Sequence, residues 1–233
     1  TGSLTLRNDC YVFIPRVFSY PNLKMGAHRN EDFGNMINGT TGQVSTTCIL
    51  KDVDSRALID FAAVHNSNND FALNGPQNIK ANLRNYWCNG TPLPPLKSSS
   101  TEAEVNENFG EFTSTVTKLL VLQESKGYGE LIRNIKEGNI EEISPTDEIT
   151  KALFNIDMDA EGSNSVRSRQ KTEAEDKEAS NIYKAGSVVV FKNLKKNKFG
   201  IMIIRSVNVD FDAVKATNDA NATITFDLYY QRY

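Results

Sequence analysis

The chain has only two histidines, His28 and His65, and these are the side chains best suited to act as a general base. A Cys–His pair such as Cys88 with His65 would supply an activated thiolate, but nothing in the sequence places the two together. The nucleophile elbow, the histidine pair of metalloproteases, the Walker loop and the dinucleotide-binding fingerprint are all absent. The sequence therefore predicts no catalytic residue, and both histidines are interpreted as locally hydrogen-bonded side chains.

One segment has partial metal-binding spacing. Residues 157–162 (DMDAEG) match the first half of a calcium loop, which needs oxygen ligands at alternating positions and a glycine at its sharp turn. The match fails at Ser168, the twelfth position, where such a loop carries a bidentate glutamate, and an arginine lies on each side of it. An acidic turn is the preferred interpretation, and neither a bound metal nor a cofactor is expected. The candidate ligands are Asp157, Asp159 and Glu161.

An aromatic pair marks the candidate ligand-binding region. Tyr86 and Trp87, which is the chain's one tryptophan, precede a run with three prolines at positions 92, 94 and 95. Aromatic rings beside rigid loops form stacking platforms for sugars or peptides, although they also close the edges of cores. The hypothesis is a binding site formed by Tyr86, Trp87 and His65, and core packing is the alternative.

The charge distribution argues against a nucleic-acid-binding protein. The formal net charge is −3, which leaves no broad basic face. The one basic cluster is interpreted as an exposed, solvated hairpin turn, with a phosphate- or lipid-contacting patch as the alternative. Its members are Lys192, Lys195, Lys196 and Lys198.

The three cysteines, Cys10, Cys48 and Cys88, lack metal-binding or redox spacing. At most one disulfide can form, with three possible pairings. Three free, buried thiols acting as small apolar side chains are slightly favoured.

The secondary-structure signals predict an α+β protein of mostly antiparallel sheets with a helical middle and a C-terminal three-stranded meander. The meander comprises residues 186–191, 198–207 and 222–231. Two of its strands are apolar on both faces, so both faces should be covered. An N-terminal β-rich part, 1–96, and a part containing the helices and the meander, 97–233, are expected to pack as one compact unit.

Several shorter segments carry signals of their own. A strand is predicted at 59–64 and one helical turn at 53–58. Residues 19–42 are predicted to be irregular, and 85–101 a loop or linker. The charged stretch 157–181 has little to bury and is predicted to be an exposed helix or a mobile loop.

The helices of the middle segment are indicated by caps and by periodic spacing. Thr101 with Glu104 forms a capping box, and a proline follows the cap residue Ser144. One apolar helix face has i, i+3, i+4, i+7 spacing. Its members are Tyr128, Leu131, Ile132 and Ile135.

Three sequence blocks resemble a family of uncharacterised outer-membrane lipoproteins of bacteroidete-type bacteria. The first comprises MGAHRN at 25–30, FG at 33–34 and TGQV at 41–44. The second is IDFA at 59–62, and the third is the hairpin GSVVVFK at 186–192 with KFGIMIIRSV at 198–207. The resemblance implies export, a lipidated cysteine upstream of Thr1 and an accessory role in TonB-dependent nutrient uptake. It transfers no catalytic residue, and the charged insert 157–181 departs from the family.

The sequence-based expectation is therefore a non-enzymatic cell-surface lipoprotein that binds a peptide, glycan or lipid, or that serves an outer-membrane transporter. Its contact with the membrane would be through the lipid anchor alone, since no run approaches the roughly 20 apolar residues that span a bilayer. The alternatives are a structural or adhesive surface protein and a hydrolase with a dispersed site.

Overall fold

Two five-stranded antiparallel sheets face each other in the computed structural model, and helices cover their outer faces. The structure describes residues 17–30, 32–65, 71–85, 87–89, 91–93, 95–97, 99–138, 155–168, 181–209 and 221–232. The strands within these residues are β1 Val17–Gly26, β2 Met36–Asn38, β3 Gln43–Ser45, β4 Phe61–His65, β5 Phe71–Asn74, β6 Trp87–Cys88, β7 Thr91–Pro92, β8 Thr117–Val121, β9 Ser165–Ser168, β10 Val188–Asn193, β11 Lys198–Asn208 and β12 Thr223–Gln231. The α-helices are α1 Val53–Arg56, α2 Glu102–Thr113, α3 Gly129–Glu137 and α4 Met158–Glu161, with 3-10 helices at Thr47–Lys51, Pro76–Asn85 and Glu124–Lys126.

The first sheet has the order β1-β12-β11-β10-β8. Its centre is the C-terminal meander, in which β10 pairs with β11 and β11 with β12, all antiparallel. Alternate side chains of the β10–β11 hairpin enter different cores: Val189 and Met202 face the second sheet, whereas Val188 and Ile203 pack with α3. The prediction that both faces of this hairpin are covered is confirmed, as is the α+β class.

The second sheet has the order β3-β2-β4-β5-β9. Its strand β9 belongs to the charged stretch that was predicted to be an exposed helix or mobile loop. Residues 158–161 do form a short helix, exposed at 159–161, but for residues 165–168 the prediction is wrong. Val166 is fully buried, because β9 pairs with β5 along its whole length and so acquires a core face. The rest of the stretch up to residue 180 lies outside the described residues.

The edges of the two sheets meet at both sides of the stack. Leu119 of β8 exchanges two backbone hydrogen bonds with Ser163, just ahead of β9. On the opposite side, the N–H of Gly26 at the end of β1 donates to the carbonyl of Gly34, 2.9 Å away and just ahead of β2. Both sheets combine strands from either side of residue 96, because β1 pairs with β12 and β5 with β9.

Strands β1 and β2 correct the prediction that residues 19–42 are irregular, for residues 19–26 and 36–38. Strand β1 was hidden by Pro21 and Asn22, which lie in a register shift between Tyr20 and Leu23, with Asn22 at φ 55°. A bulge of this kind is tolerated at a sheet edge, where a proline leaves no ladder hydrogen bond unmade on its outer side.

The helical predictions that fall on described residues hold. Helix α1 is the predicted single turn, and Thr101 and Glu104 cap α2 reciprocally. Helix α3 buries Ile132 and Ile135 on its predicted apolar face. The helix signal at Ser144 lies outside the described residues, which include no helix long and apolar enough to cross a membrane.

The state of the cysteines differs from the one expected from the sequence. Cys48 and Cys88 form a disulfide, so the preference for three free thiols is wrong. The bond joins the 3-10 helix Thr47–Lys51 to β6 and lies beside the core that covers the outer face of the second sheet. Leu93 and Leu96 are buried in the same core, so the proline-containing segment packs against the sheet.

Removing this disulfide should destabilise the protein. The two cysteines are 40 residues apart, and closing a loop of that length in the unfolded chain corresponds to about 4 kcal/mol in the chain-entropy treatment. We expect Cys48→Ala to lower the free energy of unfolding by about 2–4 kcal/mol in urea titrations. Alkylation of the unfolded, unreduced protein checks the pairing: Cys10 alone should be labelled, and labelling of all three cysteines without reductant would contradict it.

Candidate functional site

Asp60 is a fully buried carboxylate immediately before β4, and donors from distant parts of the chain converge on it. Its Oδ1 accepts from Asn193 Nδ2 at 2.7 Å, Lys196 Nζ at 2.9 Å and the Tyr230 hydroxyl at 3.2 Å. Its Oδ2 accepts from the Gly39 N–H at 2.8 Å. A buried charge is tolerated when it is paired and hydrogen-bonded in this way.

Tyr230 and Gly39, two of the residues that donate to Asp60, each meet a specific requirement of this site. Burial, reinforced by the nearby carboxylate, raises the pKa of the Tyr230 hydroxyl, so this group remains a donor. A Cβ on Gly39 would lie 2.4 Å from the Tyr230 ring, closer than such atoms approach. Only glycine therefore lets the backbone of the β2–β3 turn reach the carboxylate.

Lys196 connects this buried network to the surface. Its Nζ donates to the Leu58 carbonyl at 2.7 Å as well as to Asp60, and its side chain is 19% exposed. The β10–β11 turn holds it in place, because the Lys196 N–H donates to Asn193 Oδ1 at 3.1 Å and Asn197 takes a left-handed φ of 49°. Since an ammonium carries three donors, one remains for a further acceptor.

A cavity of about 390 Å³ opens beside this turn, and three lysines are among the residues that line it. They are Lys192 of β10, Lys196 of the turn and Lys198 of β11. All three side chains are half-buried, whereas Lys195 in the same turn is exposed and does not line the cavity. The lysines do form a hairpin turn, as predicted, but three of the four are less solvated than expected.

The rest of the cavity wall combines amide groups with apolar surface. Asn197 and Gln231 supply the amides, and Ile156 and Phe199 supply the apolar wall. Gln231 Oε1 accepts from the Phe199 N–H at 3.2 Å, which leaves the amide NH₂ as a donor. Lys192 Nζ lies 5.2 Å from the centre of the Phe199 ring, within the range of a cation–π contact.

The structure does not bring the predicted binding residues together with this cavity. Tyr86 lies outside the described residues, and Trp87 pairs with Pro92 in β6, although its side chain is likewise outside the description. His65 is 1% exposed in β4 and does not line the cavity. The platform of Tyr86, Trp87 and His65 therefore stays a prediction.

The candidate calcium ligands have other roles. Asp157 Oδ1 caps α4 by accepting from the N–H groups of Asp159 and Ala160. Glu161 accepts from the Tyr128 hydroxyl, and burial and this carboxylate raise the pKa of Tyr128 to about 12. In the part of the chain that the structure describes, no group of three or more His, Cys, Asp or Glu side chains could hold a metal ion.

Three residues of the buried network and the cavity wall were not predicted from the sequence: Asp60, Gln231 and Ile156. Asp60 is a single acid between Ile59 and Phe61 in an apolar run, and a lone charge in a buried strand is a usable signal of a buried ionic network. Gln231 and Ile156 carry no comparable signal, because they reach the cavity from segments distant in sequence.

The fold and the site define an α+β protein of two stacked antiparallel sheets with a lysine-lined cavity at one end. No family model matches the chain, and no curated protein matches it. Among solved structures it is similar to a DUF4466 family protein from Parabacteroides merdae, with 11% identity and a TM-score of 0.49. The match covers 94% of this chain and 55% of that one, so this chain spans about half the length of the matched protein. That protein comes from a bacteroidete species.

Burial of His28 predicts that the free energy of unfolding depends on pH. Burial, with smaller effects of the charges of Arg29 and His65, lowers the pKa of His28 from 6.5 to about 4. The unfolded chain therefore binds a proton more readily, so stability is greatest above about pH 6.5 and falls as the pH drops towards 4, by about 3 kcal/mol. Urea titrations across this range should show the loss, and His28→Gln should remove most of it. An unchanged pH dependence in that variant would contradict the assignment.

Proposed function

We propose that this chain is a non-enzymatic binding protein of the cell surface that holds an anionic ligand in the lysine-lined cavity. The observation that carries the proposal is that Lys192, Lys196 and Lys198 are among the described residues that line one cavity, in a protein whose overall charge is negative. A cleft lined by one sign of charge attracts ligands of the opposite sign, so lysines at this cavity favour an anionic ligand.

The cavity has the parts expected of a small-molecule site. Its volume lies within the range of about 300–1,000 Å³ that such sites occupy. The ammonium groups would attract the charge of the ligand, while the amides of Asn197 and Gln231 would fix its orientation. Of the peptide, glycan and lipid ligands expected from the sequence, this favours those with an anionic group.

Export of the chain is supported by the disulfide between Cys48 and Cys88, because disulfides persist mainly in oxidising compartments. The resemblance to bacteroidete surface lipoproteins agrees with export. We include in the proposal a lipid anchor upstream of Thr1 and an accessory role beside a TonB-dependent transporter, both of which rest on the resemblance.

A binding role is preferred to the hydrolase alternative because both histidines are closed to solvent. His28 is 8% exposed and His65 is 1% exposed, so neither can meet a substrate from solution without local opening. A structural or adhesive surface protein is the second candidate, and the observation in its favour is the filled interior between the two sheets, where four aromatic side chains are in contact. They are Phe61, Phe191, Phe226 and Tyr230.

Calorimetric titration of the full chain with glucuronate, glucose 6-phosphate and neutral glucose tests the proposal. We expect at least one anion to bind and glucose not to bind. Lys192→Gln and Lys198→Gln should each weaken anion binding about tenfold, the equivalent of about 1.4 kcal/mol. Binding should also weaken as salt is added, because the charges are accessible to solvent.

Lys195→Gln is the matched control, since this lysine lies in the same turn without lining the cavity. It should change the affinity by less than about twofold, as expected of an exposed charge near the site. Equal losses in all three variants would indicate diffuse attraction to the turn and would overturn the site. Failure of both anions to bind would overturn the proposed function.

A further inference from the structure

From the charge balance of the cavity, we infer that the anionic group it holds is a dianionic phosphate monoester. The inference rests on the proposed function and names the ligand chemistry of that same site. The shared chemistry is a terminal phosphate, whether on a soluble sugar or on a lipid headgroup.

The charges around the cavity leave two positive charges to be compensated. Lys192, Lys196 and Lys198 line it, and none of the described residues that line it is acidic. Asp60 lies directly behind Lys196 and neutralises one ammonium through the 2.9 Å contact. A monoanion would leave one positive charge half-buried and unmatched, whereas a phosphate monoester at neutral pH carries a charge close to −2.

The donors also suit a phosphate. Each ammonium is a compact point charge with several N–H groups, and a terminal phosphate presents three strong acceptor oxygens. Lys192 and Lys198 lie on the paired strands β10 and β11, and Lys196 lies in the turn between them.

The Lys196 ammonium is held in position before any ligand binds. Lys196 is held by Leu58 and Asp60 at 2.7 and 2.9 Å, so its remaining N–H is already oriented when a ligand arrives. Less side-chain entropy is then lost on binding than for a free lysine. The NH₂ of Gln231 and the Asn197 amide are left for hydroxyl or ester oxygens next to the phosphate.

The test compares glucose 6-phosphate with glucuronate, two sugars of similar size that carry a dianion and a monoanion. Calorimetry at about pH 8 should give at least tenfold tighter binding of the phosphate, a difference of about 1.4 kcal/mol. Lowering the pH to about 5 protonates the phosphate, whose second pKa is about 6, and should weaken its binding by a similar factor. Glucuronate keeps its single charge, so its affinity reports any change in the protein itself, including that of His28.

The outcomes separate the two proposals. Equal affinities for both sugars, or a phosphate affinity that changes with pH no more than that of glucuronate, would overturn the phosphate inference and leave the anion site intact. Loss of binding to both sugars would overturn the anion site as well. A tenfold preference that Lys198→Gln reduces and Lys195→Gln preserves would support both.

Vesicle binding identifies the source of the phosphate. The chain should be mixed with phosphatidylcholine vesicles with and without phosphatidic acid, whose headgroup is a phosphate monoester. Retention on the phosphatidic acid vesicles that glucose 6-phosphate competes away supports a lipid headgroup as the ligand. Binding of the soluble sugar phosphate without such retention supports a free phosphate monoester.

Discussion

The carboxylate of Asp60 is the constraint on which the end of the two-sheet stack depends. It has no exposed surface, and its donors arrive from the β2–β3 turn, β10, the β10–β11 turn and β12. Thr117, at the start of β8, adds a hydrogen bond to the Asp60 carbonyl. Loss of the Lys196 ammonium would leave the buried carboxylate without its ion-pair partner, which typically costs about 3–5 kcal/mol. These hydrogen bonds connect the second sheet, at β4 and the β2–β3 turn, to β8, β10 and β12 of the first sheet.

The cavity is a consequence of that constraint. Asp60 draws the ammonium of Lys196 towards the interior, which fixes the hairpin turn with Lys195 outward and Lys196 inward. Lys192 and Lys198 flank this turn at the ends of a hairpin whose strands are buried on both faces. The fold therefore fixes the position of the Lys196 ammonium, through its ion pair with the buried Asp60.

Much of the architecture could be predicted from the sequence because its signals are local. Periodic apolar residues indicate the C-terminal meander, and the Thr101–Glu104 capping box marks the start of α2. Strands β1 and β9 could not be predicted, since each depends on a partner strand distant in sequence. The disulfide was unpredictable for the same reason: its cysteines are 40 residues apart and meet only when β6 packs beside the 3-10 helix.

The candidate site was only partly predictable. The cluster of lysines was visible, and a phosphate- or lipid-contacting patch was a stated alternative to a solvated turn. The sequence did not show which distant segments meet in the fold. Asp60, Gln231 and Ile156 come from three separate segments and complete the network and the cavity wall. The aromatic and histidine hypothesis relied on residue types alone, and no spacing rule connected His65 with Trp87.

A double-mutant cycle on the free energy of unfolding tests most directly whether the Asp60–Lys196 ion pair holds this end of the protein. The variants are Asp60→Asn, Lys196→Met and the two combined, unfolded in urea at neutral pH. We expect the two single changes to be strongly destabilising and the combined loss to fall short of their sum by about 2 kcal/mol, a coupling typical of contacting groups in one network. Losses that add to within about 0.5 kcal/mol would contradict it, because independent sites behave in that way.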